Sequence, residues 1–97
     1  MTALSVYIIA GSTEEAERLA DMLVGERLAA CVNILGPVTS VYRWQGKIER
    51  DQEVALLAKT TEHRFDTLLS RVTEVHSYET PCITAFPITA GHAGYID

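Results

Sequence analysis

Apolar positions along the chain fall into strand-like stretches separated by turns and by two segments of helical spacing. Residues 3–10 are dense in β-branched and aromatic side chains and end at Gly11, which predicts a buried first strand. Residues 29–34 are again strand-like. Gly36 and Pro37 then interrupt this stretch, and because proline cannot donate to a central ladder, they predict a bulge or an edge position.

A long β-hairpin is predicted next. Its first strand runs from residue 38 and includes Tyr42 and Trp44, residues 45–47 supply the turn, and residues 48–59 return as the second strand. Both strands exceed the usual length of about 5–6 residues. We therefore expect the hairpin to project beyond the rest of the sheet.

Two amphipathic helices flank these strands. Ser12, followed by Glu15 three residues later, has the spacing of a capping box at the start of the first helix. The apolar face of that helix comprises Ala16, Leu19, Ala20, Leu23 and Val24. The second helix follows a cap at Thr60 or Thr61. Its apolar face comprises Phe65, Leu68, Leu69 and Val72.

After the second helix, residues 76–81 form a loop, residues 82–88 a last strand, and residues 91–97 a polar tail that we expect to be irregular. The order β-α-β-β-α-β predicts an α+β, ferredoxin-like fold in one domain over residues 1–97, with two helices on one face of an antiparallel sheet. The other face and the hairpin stay uncovered in one subunit. Such surfaces favour a closed oligomer, without fixing the number of subunits.

Composition supports this picture. A chain of 97 residues holds one domain, and 47% hydrophobic residues is rich for this size, as expected if a subunit interface is buried. The formal net charge of −5 argues against nucleic acid or an anionic membrane as partner, because both need a cationic face. An acidic chain is compatible with attraction of cations.

The compartment that we expect is the cytoplasm. Residues 1–11 carry no basic residue before their apolar stretch, so we expect no secretory signal, and no run approaches the ~18 apolar residues of a membrane span. The two cysteines, Cys31 and Cys82, lie in apolar, strand-like contexts. We expect buried free thiols rather than a disulfide.

A set of motifs then indicates the family. Leu-Ala-Ala-Cys-Val-Asn-Ile at residues 28–34 is followed by Ser-Val-Tyr-Arg-Trp-Gln-Gly-Lys-Ile at residues 40–48. Lys-Thr-Thr at residues 59–61 and His-Ser-Tyr-Glu-Thr-Pro at residues 76–81 come later. In this order they closely resemble the signature of CutA divalent-cation tolerance proteins, over almost the whole chain. The resemblance implies a homotrimer whose long hairpins pair across subunits, and a link to tolerance of copper and other divalent cations.

The chain departs from the family pattern in two places. Members usually continue past a tyrosine like Tyr95 into a tryptophan-containing helix, which we expect to be missing here because the sequence stops at Asp97. Some members carry a cysteine late in the first strand and two histidines before the loop tyrosine. Here residues 8–10 are Ile-Ile-Ala and Val75 precedes a single His76. A Cu(II) site built on these positions would retain His76 alone.

His76 is the candidate metal ligand, because imidazole suits Cu(II). The alternative is a structural histidine near a helix C-terminus, where the dipole favours its cation and the side chain fixes the loop. His63 and His92 have no ligand partner at chelating spacing, and we expect them to be surface residues. We expect Cys31 and Cys82 to be structural.

A second constellation comprises Tyr42, Trp44, Lys59, Tyr78 and Glu79. Aromatic residues on a projecting hairpin are often interface anchors. A lysine at a strand end, with a tyrosine and a carboxylate on a nearby loop, is expected to line a polar cleft between subunits, which resembles the inter-subunit pocket of the family. The alternative is a structural ion pair between Lys59 and a carboxylate.

The sequence gives little support for catalysis. It contains no nucleophile elbow, glycine-rich phosphate loop, HExxH or CxxC motif, and spacing alone does not show that Cys82 and His76 meet as a dyad. We predict a trimeric, non-enzymatic cation-tolerance protein that binds copper or other divalent cations weakly. The alternative is a trimeric module similar to PII regulatory proteins, which binds a small metabolite or a partner protein in the inter-subunit cleft.

Overall fold

The computed structural model describes residues 2–96, which form a four-stranded antiparallel sheet with two long helices on one face. The strands are β1 (Ala3–Ala10), β2 (Cys31–Trp44), β3 (Lys47–Thr61) and β4 (Ile83–Pro87), in the spatial order β2-β3-β1-β4. The helices are α1 (Thr13–Gly25), α2 (Glu62–Val75) and a short C-terminal turn, α3 (Ala93–Ile96). This arrangement confirms the predicted ferredoxin-like fold.

One apolar core lies between the sheet and the helices α1 and α2. Alternate residues of the two central strands face it: Val6, Ile8 and Ala10 from β1, and Val54, Leu56 and Ala58 from β3. Leu19 and Leu23 of α1 and Leu68 and Val72 of α2 complete it. On the opposite face of the sheet, Phe86 stays 55% exposed. One side of the sheet is therefore covered within the chain and the other is not.

The predicted hairpin is present and gives the molecule its length of 45 Å. Trp44 pairs with Lys47 across a two-residue turn in which Gln45 and Gly46 both have positive φ, 50° and 79°. The register of β2 against β3 shifts between Ile34 and Gly36. Because β2 is also an edge strand, both consequences expected of the Gly-Pro interruption are confirmed.

Two residues assigned to the apolar helix faces are exposed instead. Val24 is 45% exposed and Leu69 is 36% exposed. Each directly follows a fully buried leucine, Leu23 or Leu68, and one residue turns an α-helix by about 100°, which carries the side chain away from the sheet. None of the helices in residues 2–96 is long and apolar enough to span a membrane.

Two other expectations were wrong in part. The tail is not wholly irregular, because the N–H groups of Tyr95 and Ile96 both donate to the His92 carbonyl at 3.0 Å and close a helical turn; residue 97 lies outside the described residues. Both cysteines are free, as expected, but Cys82 is exposed and Cys31 half-buried. Cys82 precedes β4 in a loop, and Cys31 begins an edge strand, so neither position is enclosed.

Candidate functional site

A buried carboxylate joins the start of α1 to the loop that follows α2. Glu15 is 2% exposed, and its N–H donates to the hydroxyl of the N-cap residue Ser12 at 3.1 Å. Its carboxylate accepts from the N–H of Gly11 at 2.8 Å, one residue earlier than a capping box requires. It also accepts from the N–H and hydroxyl of Ser77, at 2.7 and 2.9 Å. Glu15 therefore ties together two segments that are 62 residues apart.

These hydrogen bonds determine the charge state of Glu15. Burial raises the pKa of its carboxyl group, but the N–H groups of Gly11 and Ser77 and the Ser77 hydroxyl lower that pKa by more, so it lies below its usual 4.5. A carboxylate that accepts several hydrogen bonds is stabilised in its ionised form. At neutral pH Glu15 is therefore a buried anion that accepts three hydrogen bonds.

His76 caps the C-terminal end of α2, and its side chain is fully buried beside Glu15. The N–H of Tyr78 donates to Nδ1 at 2.9 Å. The hydrogen-bond network then assigns the proton to Nε2, which donates to the Ile9 carbonyl at 2.8 Å. A metal ligand needs a free lone pair, and the lone pair of this tautomer is directed at the Tyr78 N–H. Copper ligation by His76 stays a prediction. Ligation through Nδ1 would require the hydrogen bond from the Tyr78 N–H to break.

Two tyrosines bind carboxylates that project from β3. The Tyr78 hydroxyl donates to Glu53 at 2.6 Å, and the Tyr42 hydroxyl donates to Asp51. The hydrogen bond to Asp51, together with burial and the nearby negative charges, raises the pKa of Tyr42 to about 12. The hydrogen bond to Glu53 likewise raises the pKa of Tyr78. Because both residues stay protonated near neutral pH, they act as hydrogen-bond donors that orient these carboxylates.

The five residues of the predicted cleft do not converge within one chain. Lys59 lies six residues along β3 from Glu53, the partner of Tyr78, which corresponds to about 20 Å at ~3.3 Å per residue. The Lys59 ammonium group donates to the amide oxygen of Asn33 at 3.2 Å. The alternative expectation, an ion pair between Lys59 and a carboxylate, does not describe this contact. Tyr42 and Trp44 lie on the projecting hairpin, and Glu79 is exposed in the loop. A cleft completed by a second subunit stays a prediction.

The described residues contain no ready-made metal cage. Within residues 2–96, no three His, Cys, Asp or Glu side chains are grouped as they would be around an ion. His63 and His92 are exposed, as predicted, and the His92 Nδ1 accepts from the Gly94 N–H at 3.1 Å.

The contacts of Glu15 were missed at the sequence level. The spacing of Ser12 and Glu15 identified the N-terminus of a helix, but a capping box engages only its own first turn. The signal that could have indicated them is Ser77, which follows His76 directly after α2. Two helices packed on one face of a sheet bring such ends together, and Ser77 supplies two donors there.

Comparison with known proteins agrees with the fold and the motifs. A family model described as CutA1 divalent ion tolerance protein matches residues 4–97. The divalent-cation tolerance protein CutA of Thermus thermophilus is 51% identical over 92 residues, which cover 95% of this chain and 89% of that protein. The protein of the same name from Archaeoglobus fulgidus is 47% identical, with the same coverage of 95% and 89%.

Solved structures give the same result. The crystal structure of CutA1 from Oryza sativa matches with a TM-score of 0.96 and 38% identity, over 99% of this chain and 88% of that chain. The Thermus thermophilus protein matches with a TM-score of 0.94 and 49% identity, over 97% of this chain and 91% of that chain. The chain therefore belongs to the CutA1 family of divalent ion tolerance proteins.

Proposed function

We propose that this protein contributes to divalent-cation tolerance by binding copper or another divalent cation weakly, without catalysing a reaction. The observation that carries the proposal is the family match over residues 4–97, together with relatives up to 51% identical that are named for this role. The net charge of −5 supports attraction of cations. We place this role in the cytoplasm, where the free thiols of Cys31 and Cys82 would stay reduced.

His76 stays the predicted copper ligand, and its surroundings explain why binding would be weak. Coordination through Nδ1 requires the Tyr78 N–H to leave, and coordination through Nε2 requires the Ile9 carbonyl to lose its donor. Each lost hydrogen bond to a buried group costs about 1–3 kcal/mol, and this cost is subtracted from the affinity for the metal. Glu15, 3.8 Å from Nδ1, is the nearest carboxylate to a metal held there.

The test is a calorimetric Cu(II) titration of the intact oligomer beside His76→Ala. We expect saturable binding that the substitution removes. His76→Gln is a second variant, because an amide can both donate to Ile9 and accept from Tyr78, and it keeps the loop folded without an imidazole. The matched control is His63→Ala, which removes an exposed imidazole from α2. Binding equal in all four proteins would exclude His76 as the ligand, and no binding above a histidine-free variant would remove the copper proposal.

We also propose that the protein is a homotrimer. The hairpin leaves large apolar side chains in solvent: Val41 is 54%, Trp44 61% and Ile48 68% exposed. One strand of this hairpin, β2, is an edge strand with unpaired backbone groups. Pairing with other subunits would cover both features, and the family resemblance supplies the number three. Light scattering should give three times the chain mass of 10.7 kDa, and a mass of one chain would contradict the trimer.

A further inference from the structure

A cavity opens at the end of the sheet opposite to Glu15 and His76. Its volume is about 560 Å³, within the ~300–1,000 Å³ of typical ligand pockets. It lies where β1 begins and β3 ends, and it is bordered by the loop after α1, the first turn of α2 and the short helix α3. Nothing in the proposed cation-binding function uses this cavity.

The charge of the cavity is opposite to that of the chain. Arg27, Lys59 and Arg64 line it, and within residues 2–96 no Asp or Glu does, although the sequence has 13 acidic and only 8 basic residues. Two described carboxylates, Glu26 and Glu62, are close in sequence to the lining arginines and have other partners. Glu26 binds Arg71 at 2.9 Å, and Glu62 accepts from the N–H of Thr2 at 3.1 Å. Within residues 2–96, neither of these carboxylates is paired with a basic residue of the cavity.

Arg27 is held there in a strained backbone conformation. After α1 ends, the Leu28 N–H donates to the Leu23 carbonyl at 2.9 Å and the Arg27 N–H to the Val24 carbonyl at 3.1 Å, the pattern of a Schellman cap. The residue at the position of Arg27 in this cap is usually glycine, because its φ is positive. Here φ is 61° and the residue is an arginine. Strain of this kind is found where a side chain is needed for function.

The other cations of the cavity are also fixed in position. An N–H of the Arg64 guanidinium donates to the Arg27 carbonyl at 2.6 Å, which leaves its remaining N–H groups for a ligand. Lys59 is oriented by Asn33. Thr61, the N-cap residue of α2, makes no side-chain cap bond, and among the described residues its buried hydroxyl has no partner. Thr61 itself lines the cavity, which places the positive end of the α2 helix dipole at this wall.

We propose that this cavity binds a small organic anion with at least two negative charges. Its anionic oxygens would bind Arg27, Arg64 and Lys59, because guanidinium groups recognise carboxylate and phosphate oxygens with paired N–H groups. Its carbon skeleton would lie against the apolar part of the wall, which includes Val24, Ile88 and Ile96. The cavity is independent of the proposed cation site, because it would bind a ligand of opposite charge and neither His76 nor Glu15 lines it.

The experiment is a titration of the metal-free oligomer with pyrophosphate and, separately, with citrate, followed by calorimetry and by the melting temperature. Potassium chloride at equal ionic strength is the reference for screening. We expect saturation near one anion per chain and a rise in melting temperature with anion concentration. Arg27→Gln should weaken binding at least tenfold. Arg50→Gln removes the same charge from the exposed hairpin and should leave binding unchanged.

Arg27→Gly separates binding from folding. Glycine relieves the positive φ, so this variant should fold at least as well as the arginine protein while binding the anion at least tenfold more weakly. Saturation by only one of the two anions would support the site and identify its chemistry as phosphate or carboxylate. Equal affinities for the unsubstituted protein and Arg27→Gln, or a response matched by potassium chloride, would overturn the proposal.

Discussion

Near the start of α1, substitution of Glu15 should lower the free energy of unfolding most. Its carboxylate accepts three hydrogen bonds, from Gly11 and Ser77, in a position that is 2% exposed. Glu15→Gln keeps the shape but replaces one oxygen by an amide nitrogen, which can only donate. We expect a loss of about 2 kcal/mol in the free energy of unfolding. Chemical denaturation measures it, and Glu14→Gln, exposed on the same turn, is the control and should change little.

The same residue predicts a pH dependence. Because hydrogen bonds hold the pKa of Glu15 below its usual 4.5 in the folded state, the folded protein binds this proton less readily than the unfolded chain does. Its stabilisation is therefore fully present above pH 4.5 and is lost as the pH falls through the folded-state pKa. The gap in stability between the unsubstituted protein and Glu15→Gln should narrow as the pH is lowered from 6 to 3. A constant gap over that range would show that the ionised form is not the one stabilised.

At the scale of elements, a substitution in the turn of the long hairpin should stabilise the fold. Gln45 and Gly46 both have positive φ, which is the two-residue geometry that favours Asn-Gly. Gln45→Asn should raise the free energy of unfolding by about 0.5 kcal/mol, since asparagine tolerates this conformation better. Gln45→Ala is the matched comparison and should lower it. Urea denaturation of the intact oligomer decides, and a destabilising asparagine would mean that the turn does not keep this geometry in solution.

The elements also show which features the sequence could predict. β1 was expected at residues 3–10 and is found there, because its apolar density and the following Gly11 are local signals. The bulge near Gly36 followed from a single proline. Contacts between distant segments were not predictable in this way. The Glu15–Ser77 hydrogen bonds and the cavity at Arg27 depend on which element ends the fold brings together.

The misplaced residues have physical reasons of the same kind. Cys82 was expected to be buried because its neighbours are apolar, but it precedes the edge strand β4 and no layer covers it. Lys59 and Tyr78 were grouped because a lysine at a strand end and a tyrosine on a nearby loop were expected to line one cleft between subunits. In the fold Tyr78 binds Glu53 near the middle of β3, six residues from Lys59, a separation that depends on strand length and register rather than on motif order.

At the scale of the whole molecule, charge is distributed unevenly along the sheet. Asp51 and Glu53, held by two tyrosines, lie toward the hairpin, whereas Arg27, Lys59 and Arg64 surround the cavity at the other end. The proposed cation ligand, His76, does not line the cavity, so substitutions at His76 and at Arg27 test the two proposed ligands independently.

The last prediction concerns assembly, and Trp44 is the residue that tests it. In a lone chain this side chain is 61% exposed, so its truncation would change stability little. In a trimer that buries it, Trp44→Ala would remove a large apolar contact worth about 3 kcal/mol per chain. The variant should melt at a lower temperature, and its melting temperature should rise with protein concentration because unfolding is coupled to dissociation. Leu69→Ala truncates a partly exposed side chain on α2 and should leave the concentration dependence of the melting temperature as it is in the unsubstituted protein. Suppose that Trp44→Ala stays trimeric by light scattering and that its melting temperature is unchanged and independent of concentration. The hairpin tip would then not be part of the interface, and the next residue to truncate would be Phe86, which is exposed on β4.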